Sequence, residues 1–167
     1  MKRIALVLFV TAAVFLAGGL ALANGRRRLQ QPIAFNHHKH LKDVGLTCLD
    51  CHPQAVRGAR ATIPNLQVCA DCHQEPQTDS EAEARLVEHI QQGRPVPWLK
   101  VHRVPSHVYF SHRRHTQIAK LGCETCHGQV AERELPFTRP AAPLTMAWCL
   151  DCHERSAVSN DCVLCHR

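Results

Sequence analysis

The chain has 167 residues, with 20 Lys and Arg against 14 Asp and Glu, which gives a formal net charge of +6. Aromatic residues make up only 5% of it, and Gly and Pro occupy 8 and 10 positions. So few large apolar side chains can hardly offset the conformational entropy of a domain, so the composition excludes a conventional side-chain core. The basic charge lacks an accompanying base-stacking aromatic motif, which excludes nucleic acid as a partner.

The first element is an apolar run from Ile4 to Ala23, with basic residues on both sides. A basic start followed by an apolar run is an export signal. The run is long enough to span a bilayer, whereas Ala21-Leu22-Ala23 fits a cleavage site. We predict a membrane anchor in residues 1-25, with a removed signal peptide as the alternative. In either case the rest of the chain lies on the periplasmic side of the inner membrane, anchored or exported.

All ten cysteines lie in five Cys-x-x-Cys-His pentads. This spacing is the attachment signature of c-type haem, in which two thiols bond to one porphyrin and the adjacent imidazole is the proximal iron ligand. Zinc sites and disulfide frameworks also use paired cysteines, but neither requires a histidine directly after the second thiol. We therefore predict five haem c cofactors. The predicted thioether positions are Cys48, Cys51, Cys69, Cys72, Cys123, Cys126, Cys149, Cys152, Cys162 and Cys165. The predicted proximal ligands are His52, His73, His127, His153 and His166.

An internal repeat organises these pentads. The pattern Phe-x-His-x-x-His-x7-Cys-x-x-Cys-His occurs twice without a gap, once from Phe35 and once from Phe110. Each copy is followed by a further pentad, and the second copy adds a fifth. We interpret residues 26-167 as one pentahaem cytochrome c domain. Its parts are a two-haem module 33-75, a helical linker 80-93 and a three-haem module 95-167.

The linker contains the most persuasive helix of the chain. Ser80 to Glu83 matches a capping box, Leu86, Val87 and Ile90 form an apolar stripe, and Gly93 ends the pattern. Short helices are expected to carry each pentad, and the proline-bearing stretches 94-105 and 135-143 to be ordered loops. The predicted fold is mostly irregular with short α-helices and little or no β-structure. It is a compact multihaem cytochrome c whose core is five covalently bound haems.

Eight histidines lie outside the pentads, and each of five irons needs a sixth ligand. The repeated His-x-x-His pairs make His37, His40, His112 and His115 the best distal candidates. For the fifth position we favour His107 over His102, and Met146 is a sulfur alternative that would raise that haem's potential. We interpret His38 and His89 as non-ligands.

The paired modules resemble the small class III multihaem cytochromes c, whose haems are bis-histidine ligated. The stretch from Pro95 to Ser111-His112, followed by Leu144 to Cys149, is similar to the pentahaem cytochrome subunit of alternative complex III and of related menaquinone reductase complexes. The resemblance covers roughly residues 33 to 167. It implies a subunit anchored by an N-terminal helix that passes electrons between an iron–sulfur or quinone-reactive partner and a further acceptor, such as another cytochrome.

With both axial positions of each iron filled by histidine, no iron is open to a substrate. We therefore predict an electron carrier and no enzyme: periplasmic-side electron transfer through five c-type haems, as a subunit of a membrane quinol/quinone oxidoreductase complex. A free periplasmic electron shuttle is the alternative within this class. A small multihaem reductase with one open haem is a second alternative, which gains ground if neither His102 nor His107 binds iron. A unit of an extracellular haem filament is a third.

Overall fold

The computed structural model describes residues 29–166. Most of this part is irregular chain between short helices, and its only β-type pairing is an isolated antiparallel bridge between Val108 and His166. The prediction of short α-helices with little or no β-structure is therefore confirmed for the described residues. Their α-helices are α1 (Cys48–Cys51), α2 (Gln54–Arg57), α3 (Leu66–Ala70), α4 (Glu81–Gln91), α5 (Glu124–His127), α6 (Met146–Arg155) and α7 (Cys162–Cys165).

The predicted anchor, residues 1-25, lies outside the described residues. Within residues 29–166, no helix has both the length and the apolar character needed to cross a bilayer.

Each pentad is wound into a helical turn, as its spacing predicts. In four pentads the amide of the pentad histidine donates to the carbonyl of the first cysteine, at 2.8 Å for His52, 3.0 Å for His73 and His127, and 2.9 Å for His166. The fifth, ending at His153, lies within α6. Short polar residues start three of these helices, because the side chains of Asn65, Thr145 and Asp161 accept from otherwise unpaired amides. The turns place both thiols of a pentad on one side.

Both copies of the repeat contain a π-helical turn that includes the second histidine of the His-x-x-His pair. The first spans Lys39–Asp43 and the second Arg114–Ile118. Asn36 in the first copy and Ser111 in the second accept from the amide three residues on. Each turn closes through a residue of positive φ, Gly45 at 84° and Lys120 at 56°. The two copies thus share one backbone design at positions 75 residues apart.

The linker helix α4 begins and ends where the sequence predicts. The side chain of Ser80 accepts from the amide of Glu83, and Gly93, with φ of 61°, follows the last turn. Val87 is buried, as the apolar stripe predicts, and α4 packs against α3. The capping box, however, is only half formed. The Glu83 carboxylate does not return to the Ser80 amide but binds His73, Gln77 and Thr78.

The two copies pack against each other in a reciprocal manner. The amide of His38 donates to the carbonyl of Arg133 at 2.9 Å, and the amide of Arg113 donates to the carbonyl of Gly58 at 3.0 Å. Residues 38 and 113 are equivalent in the repeat, as are residues 58 and 133. Two patches that exchange the same contact are related by an approximate twofold axis. We call this relation the pseudo-twofold of the repeat.

Further contacts support the same interface. The hydroxyl of Thr116 donates to the carbonyl of Ala55 at 2.9 Å, and α2 packs against the second π turn. Lys42 and Glu132 form an ion pair at 2.8 Å on the opposite side. The side-chain core of residues 29–166 is small, and its buried apolar members are Ile33, Ala70, Val87 and Ala142. This matches the expectation that the polypeptide alone has little to bury.

Candidate haem-binding sites

The pentad histidines are oriented through their Nδ1 atoms. Nδ1 of His52 lies 3.2 Å from the carbonyl oxygen of Thr62, and Nδ1 of His153 lies 3.1 Å from that of Ser159. Nδ1 of His73 lies 2.6 Å from a carboxylate oxygen of Glu83. An acceptor at Nδ1 selects the tautomer with a proton there, which leaves Nε2 free to bind a metal. These three rings are thus prepared as ligands.

The second histidine of each His-x-x-His pair is prepared in the same way. Nδ1 of His40 lies 2.8 Å from the carbonyl of Asn36, and Nδ1 of His115 lies 2.8 Å from that of Ser111. The phenylalanine that opens each motif stacks on the second histidine, with centroid distances of 4.5 Å for Phe35–His40 and 4.4 Å for Phe110–His115. The pattern Phe-x-His-x-x-His is therefore a device that fixes an imidazole.

Three histidine pairs have the separation that one iron requires, and two of them are equivalent in the repeat. Two Nε2 atoms about 2 Å from one metal lie about 4 Å apart, which puts the ring centroids about 6.3 Å apart. The centroids of His40 and His73 are 6.1 Å apart, and those of His115 and His153 are 6.3 Å apart. These pairs occupy equivalent positions in the two copies. Each joins the second histidine of the motif to the second pentad of the same copy.

Two histidines lie beside His127, and their distances differ. The His112 ring is 6.3 Å from the His127 ring with planes 9° apart, whereas the His102 ring is 4.5 Å away and edge-on. Only the first distance leaves room for an iron between the rings. His102 is therefore not placed to share an iron with His127. Its buried Nε2 atom has no hydrogen-bond partner, and its ring also contacts Phe137 at 5.5 Å.

The remaining pairs involve the first and last pentads. His107 stacks on His166 at 5.4 Å, because the bridge between Val108 and His166 holds the two segments together. His37 has a buried Nδ1 atom with no partner and lies near His52. Met146, the sulfur alternative, is exposed on the first turn of α6. His89, interpreted as a non-ligand, turns its Nδ1 to the carbonyl of Arg94 at 2.9 Å.

Burial keeps several of these imidazoles in their neutral, ligating form. Desolvation lowers the pKa of His37 to about 4, helped by the neighbouring His52. Desolvation likewise lowers the pKa of His127 to about 4, with further contributions from His102 and His112. Neutral imidazole is the form that binds iron, so burial favours the ligating state near neutral pH.

The thiols of different pentads are near neighbours, which reveals the order of the pentads in space. Burial raises the pKa of the Cys51 thiol, and nearby Cys72 raises it further. Burial raises the pKa of the Cys123 thiol too, and Cys48 adds to this through its charge and a hydrogen bond. The first pentad therefore lies between the second and the third. Cys48 and Cys123 are equivalent residues that meet at the pseudo-twofold.

The second copy continues this order. Burial raises the pKa of the Cys126 thiol, and the nearby charge of Cys152 raises it further. Burial also raises the pKa of the Cys149 thiol, to which nearby Cys165 adds. The third pentad therefore adjoins the fourth, and the fourth adjoins the fifth. We call this arrangement the pentad row. It runs from the pentad of Cys69 through those of Cys48, Cys123 and Cys149 to that of Cys162.

A cavity of about 590 Å³ is lined by the loop that includes Arg133, Phe137 and Arg139. The guanidinium of Arg133 stands 4.4 Å from the centroid of the Phe137 ring, and His37 and His102 contact the same ring. Arginines at such a place can pair with carboxylates of a bound group. Sequence reasoning predicted an ordered loop over the haems in residues 135-143, but it assigned no single residue there a role, since these residues follow no recognisable spacing.

The residues fit c-type haem: ten free cysteines in helical turns, imidazoles with Nδ1 satisfied and Nε2 free, and ring pairs spaced for one iron. This donor set defines a multihaem cytochrome c. The sequence profile of the family described as cytochrome c7 and related cytochrome c matches residues 33–92 and again residues 108–167. The chain belongs to this family.

A relative of known role supports the same class. The multihaem cytochrome c subunit of menaquinone reductase from Nitratidesulfovibrio vulgaris is 39% identical over 107 residues, which are 64% of this chain and 49% of the relative. The chain thus spans about half the length of that relative. The class III-type resemblance is confirmed, whereas the likeness to alternative complex III stays a prediction.

Proposed function

We propose that the protein is a pentahaem electron conduit on the periplasmic side of a membrane. The observation that carries this proposal is the set of three imidazole pairs, each with one pentad histidine, whose ring centroids lie 6.1 to 6.3 Å apart, the spacing of two ligands on one iron. Bound haems would each supply a reversible one-electron couple. The chain's own residues attach, orient and insulate these groups, and they set each potential through ligation, burial and nearby charge.

Three of the proposed ligand pairs follow from the distances between ring centroids. His40 pairs with His73, His115 with His153, and His112 with His127. The bridge at Val108 favours His107 for His166. For the first pentad we propose His37 with His52, because the repeat makes that pair equivalent to His112 and His127.

Filled axial positions favour an electron carrier over a reductase. A reductase of small oxyanions needs an iron with one open position. The proposed pairs use a histidine on both sides of each iron, and this leaves His102 beside His127 as a spare imidazole. The carrier is therefore the better proposal, and the reductase becomes an outcome of the test.

The test is haem quantification per chain combined with low-temperature EPR of the oxidised, purified holoprotein. We expect five haems and only low-spin signals. Fewer than five haems would contradict the haem count. A high-spin component from one haem in five would replace the conduit by an enzyme with an open site, to be assayed with small oxyanions.

We further propose that the protein works as a subunit of a membrane quinol/quinone oxidoreductase complex. The similarity to a menaquinone reductase subunit supports this assignment. The partners would be iron–sulfur or quinone-reactive subunits and other cytochromes, with the membrane reached through the N-terminal segment. Full-length protein should then fractionate with membranes and elute in detergent as a larger assembly. Recovery as a monomer in the periplasmic extract would identify a free shuttle instead.

A further inference from the structure

Glu83 is a buried carboxylate in direct contact with a predicted haem ligand. Its side chain is 7% exposed, and its Oε1 atom lies 2.6 Å from Nδ1 of His73. It is also the buried charged residue of the core of residues 29–166. Buried carboxylates are costly unless they are well paired, so this one requires an explanation.

A loop before α4 holds the carboxylate in place. The amide of Gln77 donates to Oε1 at 2.8 Å, the amide of Thr78 donates to Oε2 at 2.8 Å, and the hydroxyl of Thr78 also donates to Oε2. These donors satisfy the charge without neutralising it. Glu83 is therefore fixed as an anion whose oxygen faces the His73 ring.

The pseudo-twofold provides an internal comparison. His73 and His153 are the histidines of the second pentad in each copy, and their partner rings are His40 and His115. Those partner rings have equivalent environments, with Nδ1 lying 2.8 Å from a main-chain carbonyl in both cases. The pentad rings differ, because His153 faces the carbonyl of Ser159 at 3.1 Å where His73 faces a carboxylate.

We propose that Glu83 lowers the reduction potential of the haem attached at Cys69 and Cys72 below that of its equivalent at Cys149 and Cys152. A carboxylate accepts a stronger hydrogen bond than a neutral carbonyl, which weakens the Nδ1–H bond and makes the imidazole a better electron donor. A better donor, and a negative charge nearby, both stabilise the oxidised iron. Glu83 is thus a positioning and tuning residue that acts through His73.

This inference rests on the proposed haem at the second pentad, and it adds a direction to the pentad row. The pseudo-twofold relates the two pentads on one side of the contact between Cys48 and Cys123 to the first two on the other side, and Glu83 acts at only one end of the row. With a lower potential at that end, a single electron on the protein resides preferentially elsewhere in the row.

The experiment compares reduction potentials in the full-length holoprotein and in E83Q. Spectroelectrochemical titration, with EPR of samples poised along it, follows the low-spin centres. We expect the reduction equilibrium constant of one centre in five to rise at least tenfold. This change corresponds to an increase in potential of about 59 mV for a one-electron couple. The EPR signal of the same centre should shift, because its axial imidazole has become a weaker donor.

The matched control is E81Q on the same helix. Glu81 pairs with Arg85 on the surface, and its side chain is 82% exposed. This substitution removes the same charge without touching His73, so all five potentials should stay as in the wild type. An equal shift in E81Q would overturn the proposal, because it would show a general charge effect. Unchanged potentials in E83Q would overturn it as well.

A second variant has the opposite expected sign. T78V removes the hydroxyl that donates to Glu83 and leaves the carboxylate more charge to share with His73. The same centre should then move to lower potential. If E83Q binds fewer haems than the wild type, T78V is the deciding test. No shift in T78V, or a shift to higher potential, would overturn the proposal. Haem quantification on the wild type distinguishes a failure of the proposed function from a failure of this inference. A haem missing from the wild type contradicts the proposed function and not the role of Glu83.

Discussion

Two imidazole rings beside the third pentad differ in their position relative to His127. His102 and His112 both lie against His127, yet one is edge-on at 4.5 Å and the other stands 6.3 Å away with a parallel plane. Nδ1 of His112 is also held by the carbonyl of Ala59 at 3.1 Å, which leaves its Nε2 available. These distances support our proposal that His112 is the ligand and that His102 packs beside it.

This assignment gives a prediction for two alanine variants. H112A should lose the distal ligand of one haem, so that one haem in five gives a high-spin EPR signal. H102A should keep five low-spin haems, because its ring only packs on His127 and Phe137. High-spin iron in H102A, with H112A unchanged, would reverse the two roles.

A second prediction concerns the fifth distal ligand. H107A should convert one haem in five to high spin, since the stacked pair with His166 supplies both axial ligands in our proposal. The control is H89A, since Nδ1 of His89 lies 2.9 Å from the carbonyl of Arg94, just after the end of α4. Five unchanged low-spin haems in H107A would move the assignment to His102 or Met146.

At the scale of elements, the two π turns show how the copies solve one problem with different residues. A residue of positive φ lies two positions after each turn, Gly45 in the first copy and Lys120 in the second. A residue with a Cβ atom is strained in this conformation, whereas glycine is not. A Cβ atom on Gly45 would meet nothing within 4 Å, so only the backbone conformation matters there.

The corresponding prediction uses a reciprocal pair of substitutions. G45A should destabilise the holoprotein by about 1 kcal/mol through backbone strain. K120G should stay within about 0.5 kcal/mol of wild type, because the relief of strain is offset by greater freedom of the unfolded chain. Denaturant unfolding followed by circular dichroism measures both. A neutral G45A would contradict the shared turn geometry.

Sequence reasoning predicted α4 and the pentad helices correctly, because helix caps and thiol spacing are local signals. It missed the π turns, since no spacing rule distinguishes them from α-helical turns. It also assigned Glu83 to the capping box with Ser80, because the pattern Ser-x-x-Glu fits that role equally well. Only the fold brings His73, ten residues away, within reach of the carboxylate.

At the scale of the whole molecule, stability depends on the bound groups. The buried apolar side chains of residues 29–166 are Ile33, Ala70, Val87 and Ala142, and two of these are alanines. Burying a large aliphatic side chain contributes roughly 1.5–3 kcal/mol, whereas ordering each residue costs roughly 1–2 kcal/mol of backbone entropy. This small core cannot offset the entropy of the chain.

We therefore predict that the chain does not fold without haem. Protein expressed without haem attachment, or with all ten cysteines changed to alanine, should show no cooperative thermal transition by circular dichroism. The holoprotein should melt cooperatively. Cooperative unfolding of the haem-free chain would mean that the polypeptide has a core of its own.

The order of the pentad row and the pseudo-twofold lay beyond sequence reasoning. The repeat predicted two modules, and the family profile matches twice, but nothing in the spacing says that Cys48 and Cys123 meet. That contact depends on main-chain bonds such as Arg113 to Gly58, which form between residues of any type. The division into modules 33-75 and 95-167 stays a prediction.

The Nδ1 bonds have a consequence for how such a protein can evolve. The rings of His40, His52, His112, His115 and His153 are held by main-chain carbonyls, which every amino acid supplies. Side-chain drift at those partner positions leaves the ligand chemistry intact. The ring of His73 differs from these five, because its Nδ1 partner is the side chain of Glu83. Position 83 is therefore the place where one nucleotide change could retune the protein to a different redox partner while its other haems stay as they are.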